Sequence, residues 1–382
     1  MIVLGFLLVY FLLIGVFIVG YSRVKFFEFT SKETIQSFSI VIPFRNEAAH
    51  LPALLKSIRL LDYPVAQVEI LMVNDASSDG SVQLIQTYIK KHQLTHIQVL
   101  ENIRQSGSPK KDAIRTAIAI STHPWLITTD ADCILPEKWF RVLDNYIQKE
   151  APNMIAGPIA LMEKTKAPSF LYAFETLDVH SMLGATISAF GLGHPIMANG
   201  AHLAYRTAVF HTVQGFEGND HMASGDDLFL LEKFLTYNAN AVHYLKNPLA
   251  IVRTSSLESW TGLVSQRKRW AAKASRFNSA FAKAVGIFVF LGNLSTLIIY
   301  SMLVYAILAE NHNFNVPLLL TAVLLKYLLD GLLIMKALCF TESQRVFIWY
   351  PLVALCYPIV TLTTAILAFT TSYTWKGRRF KQ

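Results

Sequence analysis

Hydrophobic positions follow two patterns along the chain. Uncharged runs cover residues 1–22, 284–309 and 346–375, and a further apolar run, 315–335, is interrupted by Lys326 and Asp330. About 20 apolar residues suffice to cross ~30 Å of hydrocarbon as a helix, so one membrane segment is expected early and about three late. Between residues 22 and 284 the pattern changes to short apolar strands separated by amphipathic helices. Residues 38–43 read as a buried strand stopped by Pro43, and 51–61 as a helix with Leu51, Leu54, Leu55 and Ile58 on one face. Residues 68–73 form a second strand ending at Asn74 and Asp75, and 77–81 supply turn and cap residues before the periodic run 82–89. Strand 96–100, helix 112–120 and strand 125–129 continue the alternation. Such spacing implies βαβ units and a mostly parallel sheet, whose ligands bind beyond the carboxyl ends of its strands. Asp75 and Asp130 both fall at such ends.

Composition excludes a simple soluble enzyme. Hydrophobic residues make up 53% and charged residues 16%, against roughly 45–50% and about 25% in soluble proteins. The net charge of +8 does not point to nucleic acid, because much of the surplus flanks membrane segments. Arg267, Lys268, Arg269, Lys273, Arg276 and Lys283 precede one, and Lys376, Arg378, Arg379 and Lys381 follow another. Basic residues there suit anionic lipid headgroups or phosphates. Arg23 and Lys25 follow the first run, no basic residue precedes it and no small-residue cleavage site follows it. It is therefore expected to be an uncleaved anchor with the cytoplasm on its carboxyl side. Cys133, Cys339 and Cys356 lack metal-ligand spacing and read as free thiols of a cytoplasmic enzyme.

The chain has no G-x-x-x-x-G-K-[ST] loop and no G-x-G-x-x-G at its first strand–helix turn. A bound nucleotide would need a metal and side chains to neutralise its phosphates. Asp130-Ala131-Asp132 suits that task, since alternate residues of an extended turn point one way and carboxylates suit Mg²⁺ or Mn²⁺. An isolated D-x-D is commonly just an acidic turn; its place after an apolar strand, with Asp75 at another strand end, is what gives it weight. Gly225-Asp226-Asp227 reads either as a helix cap or as a general base beside a second carboxylate. Gln266-Arg267-Lys268-Arg269-Trp270 reads either as an interfacial basic patch with a belt aromatic, or as a diphosphate donor, Arg269, beside an apolar acceptor platform, Trp270. Lys110 and Lys111 precede a helix and are either solvated or directed at phosphate.

In order along residues 38–270, these segments resemble the inverting family 2 glycosyltransferases, which include cellulose, chitin and hyaluronan synthases and ceramide glucosyltransferase. Residues 39–47 look like the family's opening strand and nucleotide loop, 73–81 its second nucleotide segment, and Lys110-Lys111-Asp112-Ala113 its lysine turn. Asp130-Ala131-Asp132 is similar to its metal motif and Ala198-Asn199-Gly200-Ala201 to a donor-sugar segment. Gly225-Asp226-Asp227 takes the place of its acidic motif, and residues 266–270 that of Q-x-x-R-W. The resemblance implies a GT-A fold: an α/β, Rossmann-like, mixed and mostly parallel sheet, here with transmembrane helices at both ends. It further implies nucleotide contacts from Pro43, Arg45, Glu47, Asp75 and Lys110, with uracil as the base, and a metal on Asp132 and Asp130. Asn199 would meet the donor sugar, Asp227 would be the base, Arg269 would stabilise the leaving diphosphate, and Gln266 and Trp270 would meet the acceptor. Donor choice is expected around Asn199 and His202. The motif is Gly-Asp-Asp where many processive members have Thr-Glu-Asp, so Asp226, grouped with Gln266 and Trp270 on the acceptor side, has a less defined role than Asp227.

The expected layout is an anchor over 1–22, a cytoplasmic catalytic domain over 36–257, an interfacial helix over 258–283, a membrane region over 284–375 and a basic tail over 376–382. Three simple crossings after residue 284 would leave that tail outside, against the positive-inside rule. One late segment is therefore expected to lie in the interface or to re-enter, with 315–335 the weakest span. The expected setting is the inner or plasma membrane, with a nucleotide-sugar donor and a lipid or glycan acceptor. A processive synthase of the poly-N-acetylglucosamine type is the alternative within the family. A transporter or scaffold with a nucleotide-binding domain is the alternative outside it.

Overall fold

A computed structural model describes residues 2–30, 33–163, 168–220, 222, 225–274, 278–309, 314–370, 373–375 and 378–380. In chain order it begins α1 (Ile2–Arg23), β1 (Phe38–Phe44), α2 (Leu51–Arg59), β2 (Val68–Asn74), α3 (Ser81–His92), β3 (Ile97–Glu101), α4 (Pro109–Ile118) and β4 (Trp125–Thr128). Next come β5 (Cys133–Ile134), α5 (Trp139–Glu150), β6 (Met154–Ala156), β7 (Ile159–Leu161), α6 (Phe170–Gly191), β8 (Leu203–Arg206) and α7 (Thr207–Thr212). The rest are α8 (Asp226–Asn238), β9 (Val242–Tyr244), β10 (Val252–Thr254), α9 (Trp260–Ala274), α10 (Ala280–Leu308), α11 (Val316–Phe340), α12 (Tyr350–Thr370), β11 (Tyr373–Trp375) and β12 (Arg378–Phe380). They form two units: Lys25–Met162 with Met197–Ser255, and Met1–Val24 with Glu163–Ile196 and Ser256–Gln382.

The first unit is built on a seven-stranded sheet of order β3-β2-β1-β4-β8-β6-β9. β1 to β4 are mutually parallel, β8 runs antiparallel to β4 and β6, and β6 is parallel to β9. β1 is central and almost wholly buried, as a near-continuous apolar strand between parallel neighbours must be. Pro43 does not stop it: β1 continues to Phe44, paired with Asn74. The Val41 carbonyl accepts from the Thr129 amide, so residues 41 and 43 face β4, and β4 ends opposite Val41. The amide hydrogen that proline lacks would have met no strand there. Beneath the sheet, Phe38 stacks on Phe140 at 5.1 Å between ring centres, and each ring's burial contributes roughly 2–3 kcal/mol. β5, β10 and β7 form a second small sheet in this unit.

In the second unit, Ile2–Arg23, Ala280–Leu308, Val316–Phe340 and Gln344–Ala368 are each long and apolar enough to cross a membrane. α1 and α6 meet backbone to backbone: a Cβ on Gly191 would lie 1.9 Å from the Gly20 carbonyl oxygen, the close approach that small residues permit between apolar helices. Lys326 and Asp330 do not interrupt α11. They pair at 2.7 Å, Tyr10 of α1 donates its hydroxyl to Asp330 at 2.7 Å, and Lys326 is buried over the Tyr10 ring. The run expected to continue to Trp375 ends as helix at Thr370, and Tyr373–Trp375 pairs instead with Arg378–Phe380. Arg276, Lys376 and Lys381 lie outside the described residues.

α6 was not expected from hydropathy, and it lies within the 36–257 span assigned above to the catalytic domain while grouping with the apolar helices. Its polar side chains are buried and engaged. Glu175 accepts from the Leu257 amide at 2.9 Å, and His180 joins the Thr176 carbonyl to the Thr341 hydroxyl at 2.6 Å each. Asp178 accepts from Tyr357 at 2.9 Å and forms an ion pair with Arg267.

Candidate active site

The carboxyl ends of β1, β2 and β3 carry one polar cluster. Arg45 donates to the carbonyls of Asp75 at 2.6 Å and Ala76 at 2.8 Å, tying the loop after β1 to the loop after β2. Asp75 is buried, accepts from Asn102 at 2.8 Å and lies 3.3 Å from Arg104. Arg104 also approaches the fully buried Asp112 at 3.4 Å, whose carboxylate takes the Gln105 and Ser106 amides and so fixes the loop entering α4. Glu47 is buried too: its amide donates to Ser81 and its carboxylate meets His50 at 2.7 Å. Pro43 sits half-buried at the end of β1. Asn102 and Arg104 were not singled out from the sequence, and Asp112 only as a member of the lysine turn. The strand-end rule that selected Asp75 also selects Asn102, one residue past β3.

The metal motif, the lysine turn and the acidic motif meet at a second cluster. Lys110, in the first turn of α4, lies 2.7 Å from Asp130 Oδ1 and 3.1 Å from Asp226 Oδ2. Burial alone would pull the Lys110 pKa down, but the carboxylates of Asp130 and Asp226 outweigh it and raise it, so the ammonium stays charged. Gly200 closes one side, where an added Cβ would stand 2.8 Å from Asp226 Oδ2 and 3.1 Å from Lys110 Nζ. That explains a glycine next to Asn199, whose exposed side chain accepts from the Ala201 amide at 3.0 Å. α8 is capped not by aspartate but by Gly225, at φ +92°, where a side chain would also strike Phe229. Asp226 and Asp227 thus occupy the first helical turn, where the helix dipole favours negative charge. Asp227 is half-buried and accepts from the Leu228 amide at 2.8 Å.

Asp132 is half-buried beside Cys133. Burial, then the charges of Asp132 and Asp130, push the Cys133 thiol well above its ordinary pKa, and a protonated thiol is a poor metal ligand. Among the described residues no three His, Cys, Asp or Glu side chains form a metal-holding group. Two carboxylates that leave positions open for water and phosphate oxygens fit Mg²⁺ or Mn²⁺ and do not fit a soft-metal cage.

Two expectations fail. Lys111 is neither solvated nor directed at phosphate: it is fully buried and donates to the Asn219 backbone and side-chain oxygens at 2.7 and 3.1 Å, 5.3 Å from the centre of the Phe229 ring. It therefore holds Asn219 in place. His202 lines no donor pocket. It is completely buried, accepting from the Trp139 indole at 2.9 Å, with its other nitrogen 3.1 Å from the Pro158 carbonyl. Gly157 packs on it so closely that a Cβ would come within 2.1 Å of the imidazole. Gln266, Arg269 and Trp270 lie on α9 in the helical unit, where the buried member of their motif is Arg267, placed over the Trp270 ring at 4.1 Å.

The sequence model of glycosyl transferase family 2 matches residues 39–173, and that of glycosyl transferase family group 2 matches 125–373. The chain is 21% identical over 213 residues to the poly(ribitol-phosphate) β-N-acetylglucosaminyltransferase TarS of Staphylococcus aureus, covering 56% of this chain and 35% of that protein. It is 22% identical over 244 residues to the poly-β-1,6-N-acetyl-D-glucosamine synthase of Staphylococcus epidermidis, covering 63% and 55%. The chain thus spans between about a third and about half of these relatives' length. Among solved structures, the mannosyltransferase PcManGT from Pyrobaculum calidifontis, in complex with GDP-Man and Mn²⁺, superposes with a TM-score of 0.56 at 16% identity, over 92% of this chain and 95% of that one. That likeness establishes the GT-A fold. With more than half of its length matched by one family model, the chain belongs to the family 2 glycosyltransferases and is an enzyme of that class.

Proposed function

We propose that the chain is an inverting transferase that moves a sugar from a nucleotide diphosphate donor, with UDP as the nucleotide, to a lipid or glycan acceptor at the membrane. The observation that carries this reading is the Lys110 bridge between Asp130 and Asp226, which gathers three otherwise separate motifs at one point. Asp130 and Asp132 would hold Mg²⁺ or Mn²⁺, which supplies positive charge to the diphosphate as its bond to the sugar breaks. Pro43, Arg45, Glu47 and Asp75 bind or shape the nucleoside end, Lys110 meets the diphosphate, and Asn199 faces the donor sugar. Asp227 takes the proton of the acceptor hydroxyl as its oxygen attacks the anomeric carbon. One displacement from the face opposite the leaving group inverts that centre. Arg269 offsets charge on the departing diphosphate, where stabilisation that grows in the transition state counts most. Gln266 and Trp270 meet the acceptor. The proposal keeps the anchor, catalytic, interfacial, membrane and tail segments read from the sequence, with α6 grouped with the apolar helices, in a multi-pass protein of the inner or plasma membrane with its catalytic part in the cytoplasm.

A second reading is a processive synthase, favoured by the match to a poly-β-1,6-N-acetyl-D-glucosamine synthase. The test incubates the purified chain with a panel of nucleotide sugars and a native lipid extract, and identifies products by mass. Single additions support the first reading and ladders of long chains the second. Asp227→Asn is expected to lower transfer by about 10²–10⁴-fold while UDP binding is retained; equal turnover in the variant would refute the base assignment.

A further inference from the structure

The two partners of the Lys110 bridge are not equivalent. The Asp226 side chain is 9% exposed and walled by Gly200, whereas that of Asp130 is 38% exposed at the open end of β4. Asp226 is a fixed post, and Asp130 a partner able to turn. Asp130 is also half of the only D-x-D motif in the chain. A divalent cation placed there would stand beside the ammonium that already neutralises Asp130, and like charges at that separation repel strongly in a half-buried site. Only a polyanion that attracts both charges removes the conflict.

We propose that Lys110 is the resident stand-in cation of this site: Asp226 holds it in place, and it releases Asp130 only when metal and diphosphate arrive together. No covalent step is involved; an ion pair with Asp130 is exchanged for one with phosphate oxygens. Asp226 is then a positioning residue acting through Lys110, distinct in role from Asp227. This rests on the donor-binding reading above. It makes one prediction of opposite signs: without the Lys110 charge, metal alone binds more tightly and nucleotide with metal binds more weakly.

The experiment titrates Mn²⁺ into the full chain in detergent, followed by electron paramagnetic resonance, with and without UDP and in parallel GDP. In the wild type, nucleotide is expected to tighten Mn²⁺ binding about ten-fold, within the usual range of coupling between sites. In Lys110→Met, Mn²⁺ alone should bind about ten-fold more tightly than to the wild type, and the nucleotide effect should shrink. Lys110→Gln replaces it if the methionine variant does not fold. Asp226→Asn should raise the donor KM more than it lowers kcat and leave the pH profile of transfer unchanged. Metal binding in Lys110→Met no tighter than in the wild type, or loss of kcat in Asp226→Asn with normal UDP binding, overturns the inference alone. Absence of metal-coupled nucleotide binding in the wild type overturns the donor reading and this inference with it.

Discussion

Burial against Trp139 and Gly157 pushes the His202 imidazole from 6.5 down to about 4. A charged ring there would lose its hydration, and a proton on the nitrogen that accepts from Trp139 would break that bond. Between pH 6.5 and 4 the unfolded chain binds a proton that the native chain refuses. Stability is therefore complete above pH 6.5 and lost as the pH falls toward 4, by about 3 kcal/mol for this residue. Thermal unfolding of the wild type and His202→Gln at pH 7 and pH 4.5 checks this: the wild type should show the larger acid-induced drop, and equal drops would sink the assignment. His202 and Lys111 were misread from the sequence for one reason. A buried, fully bonded polar residue and an exposed reactive one look alike in one dimension, and only packing separates them. The place of Asp75 after β2 and of Asp130 after β4 was legible because strand ends can be located by hydropathy.

Helix α9 shows the same limit at the scale of elements. Its sequence reads as a basic patch, yet one of its arginines, Arg267, is buried against Asp178 of α6 and over Trp270. Removing one partner of a buried ion pair leaves an uncompensated charge and typically costs about 3–5 kcal/mol. Asp178→Ala is expected to loosen α9 first. Amide exchange of residues 260–271 should rise by at least about ten-fold while α11 is unchanged, and Asp178→Ala with Arg267→Met should recover much of the protection. Unaltered exchange in the single variant would show that the pair does not hold the helix. α6 itself escaped detection because its buried Glu175, Asp178 and His180 break the apolar signal, although each finds a partner in the fold. The first four strands were legible because buried parallel strands are short, apolar and evenly spaced; β8 was not, since an antiparallel insertion leaves no comparable rhythm.

For the molecule as a whole, topology turns on how the late apolar helices meet the membrane. The sequence threw suspicion on the segment with Lys326 and Asp330, because charges at mid-membrane cost several kcal/mol. The fold removes that objection: the pair is closed on itself, capped by Tyr10, and Lys326 is buried. Suspicion moves to α12. Tyr357, near the middle of the apolar span Gln344–Ala368, shares Asp178 with Arg267, so this level of the span matches that of α9, a helix carrying Arg267, Lys268 and Arg269. Such a helix belongs at the interface and not at the centre of the hydrocarbon. Pro358 then interrupts the α12 hydrogen-bond ladder beside that point. A segment whose midpoint lies level with an interfacial helix is better placed to dip and return than to cross. α10 and α11 would then cross as a pair and α12 re-enter, returning Arg378 and Arg379 to the side of Arg23, as the positive-inside rule requires. An epitope fused after Gln382, probed with protease in sealed vesicles of known orientation, should be cut only from the cytoplasmic face. Cleavage from the opposite face alone would establish α12 as a full span and leave the tail an exception to the rule.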